Sequence, residues 1–266
     1  PIEFDTVITD EASKATPPEL LLPRCFGQKN IIIGDHRQLP PMLHDKTFKE
    51  TLESLETTEA KELASEIDKN FVETSQFERL IMHPKVSPTI KSTFNEQYRM
   101  HPKINNVIKQ FYLDEGGLEP GNPIKENADD TNLNNIFSRH HGFLLNKFIH
   151  PEIHTIWVNV DEPEELSGTS RINNYEIEAV ELVIKLLKKS NGFEEYMKHW
   201  EKSNDQGKIQ EEKEIGLISF YGHQVSKLKE VALKARNKYD IPVRLNTVDK
   251  FQGMERNIII VSTVRS

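Results

Sequence analysis

Six short runs rich in β-branched residues recur along the chain: DTVIT (5–9), NIII (30–33), TIWVNV (155–160), IGLISF (215–220), VRLNT (243–247) and NIIIVST (257–263). Near-continuous apolar runs of this length are what strands buried on both faces of a sheet look like. Helical patterns lie between them. Ile177, Val180, Val183, Ile184 and Leu187 form one stripe, with Asn173 or Asn174 placed to cap its start and Lys185, Lys188 and Lys189 toward its end near Lys189. Strands alternating with helices predict an α/β fold with a mostly parallel sheet. The first two runs lead straight into polar residues, Asp10-Glu11 and Gly34-Asp35-His36. In a parallel sheet that is where ligands bind.

The 266 residues suffice for one large or two ordinary domains, and 36% hydrophobic with 29% charged residues is a globular balance. The apolar runs fall far short of the roughly 20 residues a membrane-spanning helix needs. PIEFD at the start has neither the basic nor the apolar region of a signal peptide. A single cysteine, Cys25 in an apolar LLLPRCF setting, excludes an internal disulfide and reads as a small buried side chain. The net charge of −8 is uneven, with 16 acidic against 10 basic residues in positions 1–90. Net charge therefore does not decide between partners, because a local groove is what nucleic acid senses. Residues 45–78 carry 10 acidic and 4 basic side chains, with Leu63, Ile67 and Phe71 on one edge, and read as a solvated acidic helix with a possible role in docking a protein partner. Residues 199–213 read as a polar loop. Two prolines at 84 and 88 place a connector there, giving expected domains of 1–88 and 89–266.

Four stretches carry candidate chemistry. Asp10 and Glu11 can divide the work of a nucleotide hydrolase, Asp10 holding a hydrated Mg²⁺ and Glu11 orienting or deprotonating water. GDHRQLPP (34–41) presents Gln38 from a proline-stiffened loop, where an amide that donates and accepts can contact a terminal phosphate. Asp35 and His36 in the same stretch leave a metallophosphatase as an alternative. EQYRMHP (96–102) offers the Arg99 fork for phosphate and the flat face of Tyr98 for a base. LNTVDKFQGMER (245–256) sets Thr247 at a strand end, Gln252-Gly253 at a turn with exposed N–H groups, and Glu255 where it can accept from ribose hydroxyls. The histidines show no metal spacing, and His140-His141 reads as a solvated pair.

With these stretches in this order, the chain resembles the Upf-like group of superfamily 1 helicases, which includes the RNA-surveillance and immunoglobulin-switch-binding-protein helicases. The resemblance spans nearly the whole chain and rests on DEAS, GDHRQLPP, FERL (77–80), QYRMHP, GTSRINNYEIEA (168–179), SFYGHQV (219–225) and VDKFQGMERNIIIVSTVRS.

That resemblance implies RecA-like lobes of the P-loop NTPase type, part of a first and most of a second, with ATP between them and single-stranded DNA or RNA across them. It makes Asp10 and Glu11 the Mg²⁺ and water residues, Gln38 the γ-phosphate sensor, and Arg99 the γ-phosphate arginine with Tyr98 beside the adenine. Gln252, Gly253 and Glu255 correspond to the nucleotide contacts of motif V, and Thr247, Tyr221 and Gln224 fall where the family touches the strand. Phe220 replaces the usual proline before Tyr221, and Lys14 stands where glutamine is common. The family's Gly-x-x-x-x-Gly-Lys-[Ser/Thr] loop and its last arginine are not found in the sequence. The chain is therefore expected to be a fragment that hydrolyses ATP weakly or not at all, from a monomeric ATP- and Mg²⁺-dependent enzyme of the cytoplasm or nucleus. The alternative is a RecA-like binding scaffold without catalysis.

Overall fold

The computed structural model describes residues 3–41, 54, 57–58, 61–62, 74–201 and 214–265. Most of the acidic 45–78 segment and of the 199–213 loop lies outside the described residues. Between Phe94 and Asn95 the chain divides into two compact units.

In the first unit, β1 (Phe4–Thr9) and β2 (Gly27–Ile32) pair in parallel, Thr9 opposite Ile32, joined by α1 (Pro17–Arg24). Thr16 and Glu19 form a capping box at the start of α1, and a proline suits its first turn because the missing N–H would go unused there. α2 (Gln76–Met82) is capped by Ser75, whose hydroxyl accepts from the Glu78 N–H at 3.0 Å. Ala12, Leu20 and Phe77 form a small core with Ile32, Leu80 and Ile81 packed on it. Val7 is half-buried while Phe4, Ile8 and Ile31 are exposed, so the two-faced burial expected of these strands is not met among the described residues. The reason is coverage: among the described residues, only that small apolar cluster packs against the pair. Cys25 is also exposed, closing the end of α1 rather than sitting in a core.

In the second unit, the short parallel pair β3 (Glu96–Gln97) and β4 (Glu119–Pro120) flanks α3 (Pro102–Ile108) and precedes α4 (Asn122–Asn127). A hairpin, β5 (Glu165–Ser167) and β6 (Ser170–Ile172), leads into α5 (Asn174–Lys189) and α6 (Phe193–Glu201). Then come β7 (Ile215–Ser219), α7 (Gly222–Tyr239), β8 (Val243–Thr247), α8 (Val248–Phe251) and β9 (Ile258–Ser262). β7 lies between β8 and β9, all parallel, the arrangement that strand–helix–strand connections produce. α5 buries Val180, Ile184 and Leu187, three positions of the predicted stripe, with Asn173 as its cap accepting from the Glu176 N–H at 3.0 Å. α7 buries Leu228, Val231 and Ala235 on the same core as Ile215 and Leu217 of β7.

TIWVNV is a correction. Residues 155–160 form no strand, and Trp157 is 80% exposed. A β-branched run becomes a strand only when a neighbour completes its ladder, and among the described residues none does.

Candidate functional site

The register of β1 against β2 brings Asp10, Glu11 and the loop after Ile33 to one end of the first unit. The Ile33 N–H donates to the Thr9 carbonyl at 2.8 Å, and the Ala12 N–H to the Ile33 carbonyl at 2.9 Å, stitching the two strand exits together. Asp10 and Glu11 are both exposed. The Asp10 carboxylate accepts the Glu11 N–H at 2.8 Å, and Glu11 has a left-handed φ of 54°, unusual for a residue with a side chain. Asp35 organises the second loop: its carboxylate accepts from the Arg37 N–H at 3.0 Å and from Gln38 Nε2 at 2.8 Å. Gln38 is thus held by one end of its amide. Exposed carboxylates beside an amide on a fixed loop are a donor set suited to a hydrated hard cation and a phosphate.

In the second unit, Arg99 forms an ion pair with Glu255, joining the QYRMHP and FQGMER stretches. Both side chains are more than half exposed, so the pair contributes no more than about 1 kcal/mol and yields readily to a stronger anion. Gly253 supplies the turn before Glu255 with a φ of 80°, which a side chain would strain. Arg256, with its side chain only 3% exposed, anchors the far side of that turn on Glu214 at 2.7 Å. Gln252 is half-buried, its N–H closing α8 on the Val248 carbonyl. The Tyr98 hydroxyl donates to Glu96 at 2.7 Å, and that carboxylate pushes the phenol pKa up. The Tyr98 ring lies against Gly121: a Cβ there would fall 2.3 Å from the ring. The β3–β4 register continues to set these two residues side by side, leaving Tyr98 half exposed and backed by main chain.

A third cluster stands at the carboxyl end of the three-stranded sheet. Thr247, Ser219 and Ser262 are in register across β8, β7 and β9. Tyr221 follows β7, and its hydroxyl accepts from Arg265 Nε at 3.0 Å. Gln224 corrects an expectation. It is fully buried, accepts the Asn173 N–H at 3.0 Å and donates to the Asn173 carbonyl at 3.1 Å and to the Ser262 hydroxyl at 3.0 Å. Fully buried and with both amide protons spent on these bonds, its side chain is not presented to a strand. Ser262 in turn donates to Glu176, whose carboxylate also takes the Val264 N–H at 2.9 and 3.0 Å.

Glu176 and Ser262 were not singled out by sequence, and Asn173 only as a helix cap, although each lies in a motif stretch. The histidines also differ from expectation. His141 is half-buried, its Nδ1 accepting the Phe143 N–H at 3.0 Å, with His154 edge-on to its ring. His101, Asp129 and His154 have ligand atoms within 4.8 Å of one another. They do not chelate as arranged. A ligated cation lies in the plane of each imidazole about 2 Å from its nitrogen, whereas the rings of His101 and His154 are stacked 3.5 Å apart at 6°. His101 Nδ1 moreover accepts the Lys103 N–H at 3.0 Å, which keeps its proton on Nε2 toward Asp129 at 3.2 Å.

Residues 72–266 match a family described as an AAA domain, and residues 2–46 match a second family of the same description. The chain belongs to the AAA-domain family. It is 29% identical to an uncharacterized ATP-dependent helicase of Methanocaldococcus jannaschii, over 99% of this chain and 32% of the relative. It is 29% identical to the ATP-dependent helicase upf1 of Schizosaccharomyces pombe, over 99% of this chain and 23% of that protein. To the helicase sen1 of the same organism it is 27% identical, over 100% of this chain and 13% of the relative. These relatives bear out the resemblance to Upf-like superfamily 1 helicases, and the family match with the parallel sheets bears out the α/β assignment. The chain spans about a third or less of the length of each.

Proposed function

We propose that this chain is a segment of the motor of an ATP-dependent superfamily 1 helicase acting on single-stranded DNA or RNA. The observation that carries the reading is the gathering of Asp10, Glu11 and the Asp35-held Gln38 at the exits of two directly paired parallel strands. Mg²⁺, when bound, would neutralise phosphate charge and would be held through Asp10. Glu11 takes the role of orienting the attacking water and accepting its proton, and Gln38, placed by Asp35, takes that of contacting the terminal phosphate. Arg99 exchanges Glu255 for the phosphate oxygens on which negative charge develops, where a preorganised guanidinium acts most strongly. Glu255, once released, is available to ribose hydroxyls, and the exposed face of Tyr98 to the adenine. Thr247 and Tyr221 stand for strand contacts at the carboxyl end of the second sheet. The units 1–94 and 95–266 would belong to the first and second RecA-like lobes.

The sequence contains no Gly-x-x-x-x-Gly-Lys-[Ser/Thr] stretch, so the chain alone is expected to turn over ATP poorly. The test therefore uses a longer protein carrying this chain, assayed for ATP hydrolysis with and without single-stranded DNA or RNA. Glu11→Gln is expected to lower stimulated turnover by about 10²-fold or more, and Arg99→Ala by about 10³-fold. Nucleic-acid binding without ATP hydrolysis would replace the motor by a scaffold.

A further inference from the structure

Arg139 lies forty residues beyond Arg99, in a stretch with neither helix nor strand. Its guanidinium donates from Nε to the Arg99 carbonyl at 2.8 Å and from Nη2 to the Tyr98 carbonyl at 2.7 Å. Nη1 donates to the carbonyls of Ile136 and Ser138, both at 2.7 Å. All of these partners are main-chain oxygens, and among the described residues Arg139 forms no ion pair. The fork is half-buried, and burial pushes its pKa down against the opposing pull of Glu255.

The geometry of these bonds is informative. The carbonyls of Tyr98 and Arg99 belong to the two peptide planes on either side of the Arg99 Cα. Gln97 holds the opposite edges of the same two planes, its Oε1 accepting from the Arg99 N–H at 2.8 Å and the Met100 N–H at 2.6 Å. With both planes pinned at both edges, φ and ψ of Arg99 are set, and so is the direction in which its side chain leaves the backbone. Gln97 is a local tie and cannot orient the loop against the body of the unit. Arg139, forty residues away, can.

We propose that Arg139 is a positioning residue for Arg99: a planar fork that fixes the backbone from which the phosphate-contacting side chain springs. The proposal rests on the reading of Arg99 given above. It assigns Arg139 a part that charge alone does not fill, because an ammonium offers a point of donors rather than a rigid plane spanning two carbonyls.

The test compares Arg139→Ala, Arg139→Lys, Arg99→Ala and the Arg99→Ala/Arg139→Ala double variant in the longer protein. Nucleic-acid-stimulated ATPase kinetics are measured together with amide hydrogen exchange. Arg139→Ala is expected to lower kcat about tenfold to a hundredfold while KM for ATP moves by less than about threefold, the mark of a displaced group rather than a lost binding contact. Arg139→Lys should fall with the alanine variant, and the double variant should be no slower than Arg99→Ala. Exchange at the Arg99 and Met100 amides should quicken about tenfold in Arg139→Ala, with the α5 amides unchanged as evidence of an intact fold. Wild-type kcat in Arg139→Ala beside an impaired Arg99→Ala would overturn the proposal. So would losses that multiply in the double variant, or unchanged exchange at Arg99 and Met100. Should Arg99→Ala itself turn over at the wild-type rate, the phosphate reading of Arg99 falls, and the exchange result alone decides whether the clamp exists.

Discussion

Three imidazoles, His101, His141 and His154, lie in ring contact, and burial pushes the pKa of each down, that of His154 to about 4. In the unfolded chain each would titrate near 6.5. Between those values the unfolded state binds more protons than the folded one, so stability is full above about pH 6.5 and falls as the pH drops toward about 4. Protonation also costs His101 and His141 the Nδ1 lone pairs that accept the Lys103 and Phe143 N–H groups. Asp129, its pKa lowered chiefly by the His101 hydrogen bond, adds a loss of the same sign only at still lower pH. The denaturant midpoint of the second unit should therefore be lower at pH 5 than at pH 8, and His154→Leu should shrink the difference. Equal midpoints at the two pH values would remove this account. None of this was legible in the sequence, where His101, His141 and His154 stand 40 and 13 positions apart in turn. Arg139 was invisible for the same reason: nothing local marks its bonds to the Tyr98 and Arg99 carbonyls some forty residues away. Asp10, Glu11 and Arg99, by contrast, sit in short motifs that mark them along the chain.

Among the elements, those whose signal is local and complete were readable. The stripe from Ile177 to Leu187 with Asn173 before it became a capped helix, and the runs at 215–220, 243–247 and 257–263 became a parallel sheet. TIWVNV carries as strong a β pattern and forms no strand, since the ladder depends on a partner the run itself does not encode. The two-residue pair β3–β4 is the converse: too short for any periodicity, it sets Tyr98 against Gly121. Gly121→Ala would thrust a methyl group into the ring, so the ring must move or the helix start of α4 must shift. The expected cost is about 1–3 kcal/mol of stability, together with weaker nucleotide binding, read by denaturant unfolding and by titration of a fluorescent ATP analogue. An alanine variant matching wild type in both would mean that Gly121 does not hold the ring.

At the scale of the whole chain, the two units differ in how much apolar surface they bury. The second packs Ile184, Phe193, Ile215, Leu217 and Leu228 into one core, whereas the described part of the first gathers Ala12, Leu20 and Phe77. Amide exchange should accordingly be slowest in β7 and faster in β1 and β2. Comparable protection in β1 and β7 would contradict that ranking. A different consequence follows from the bonds joining Asn173, Glu176, Gln224 and Ser262. They lie at the start of α5, the start of α7 and the end of β9, and each serves as donor or acceptor to another of the set. Exchanging one strands a buried group on another, at roughly 1–3 kcal/mol. A single change in this arrangement is penalised until its partners change with it, so the four positions are expected to vary together, as a single character spread over three motifs.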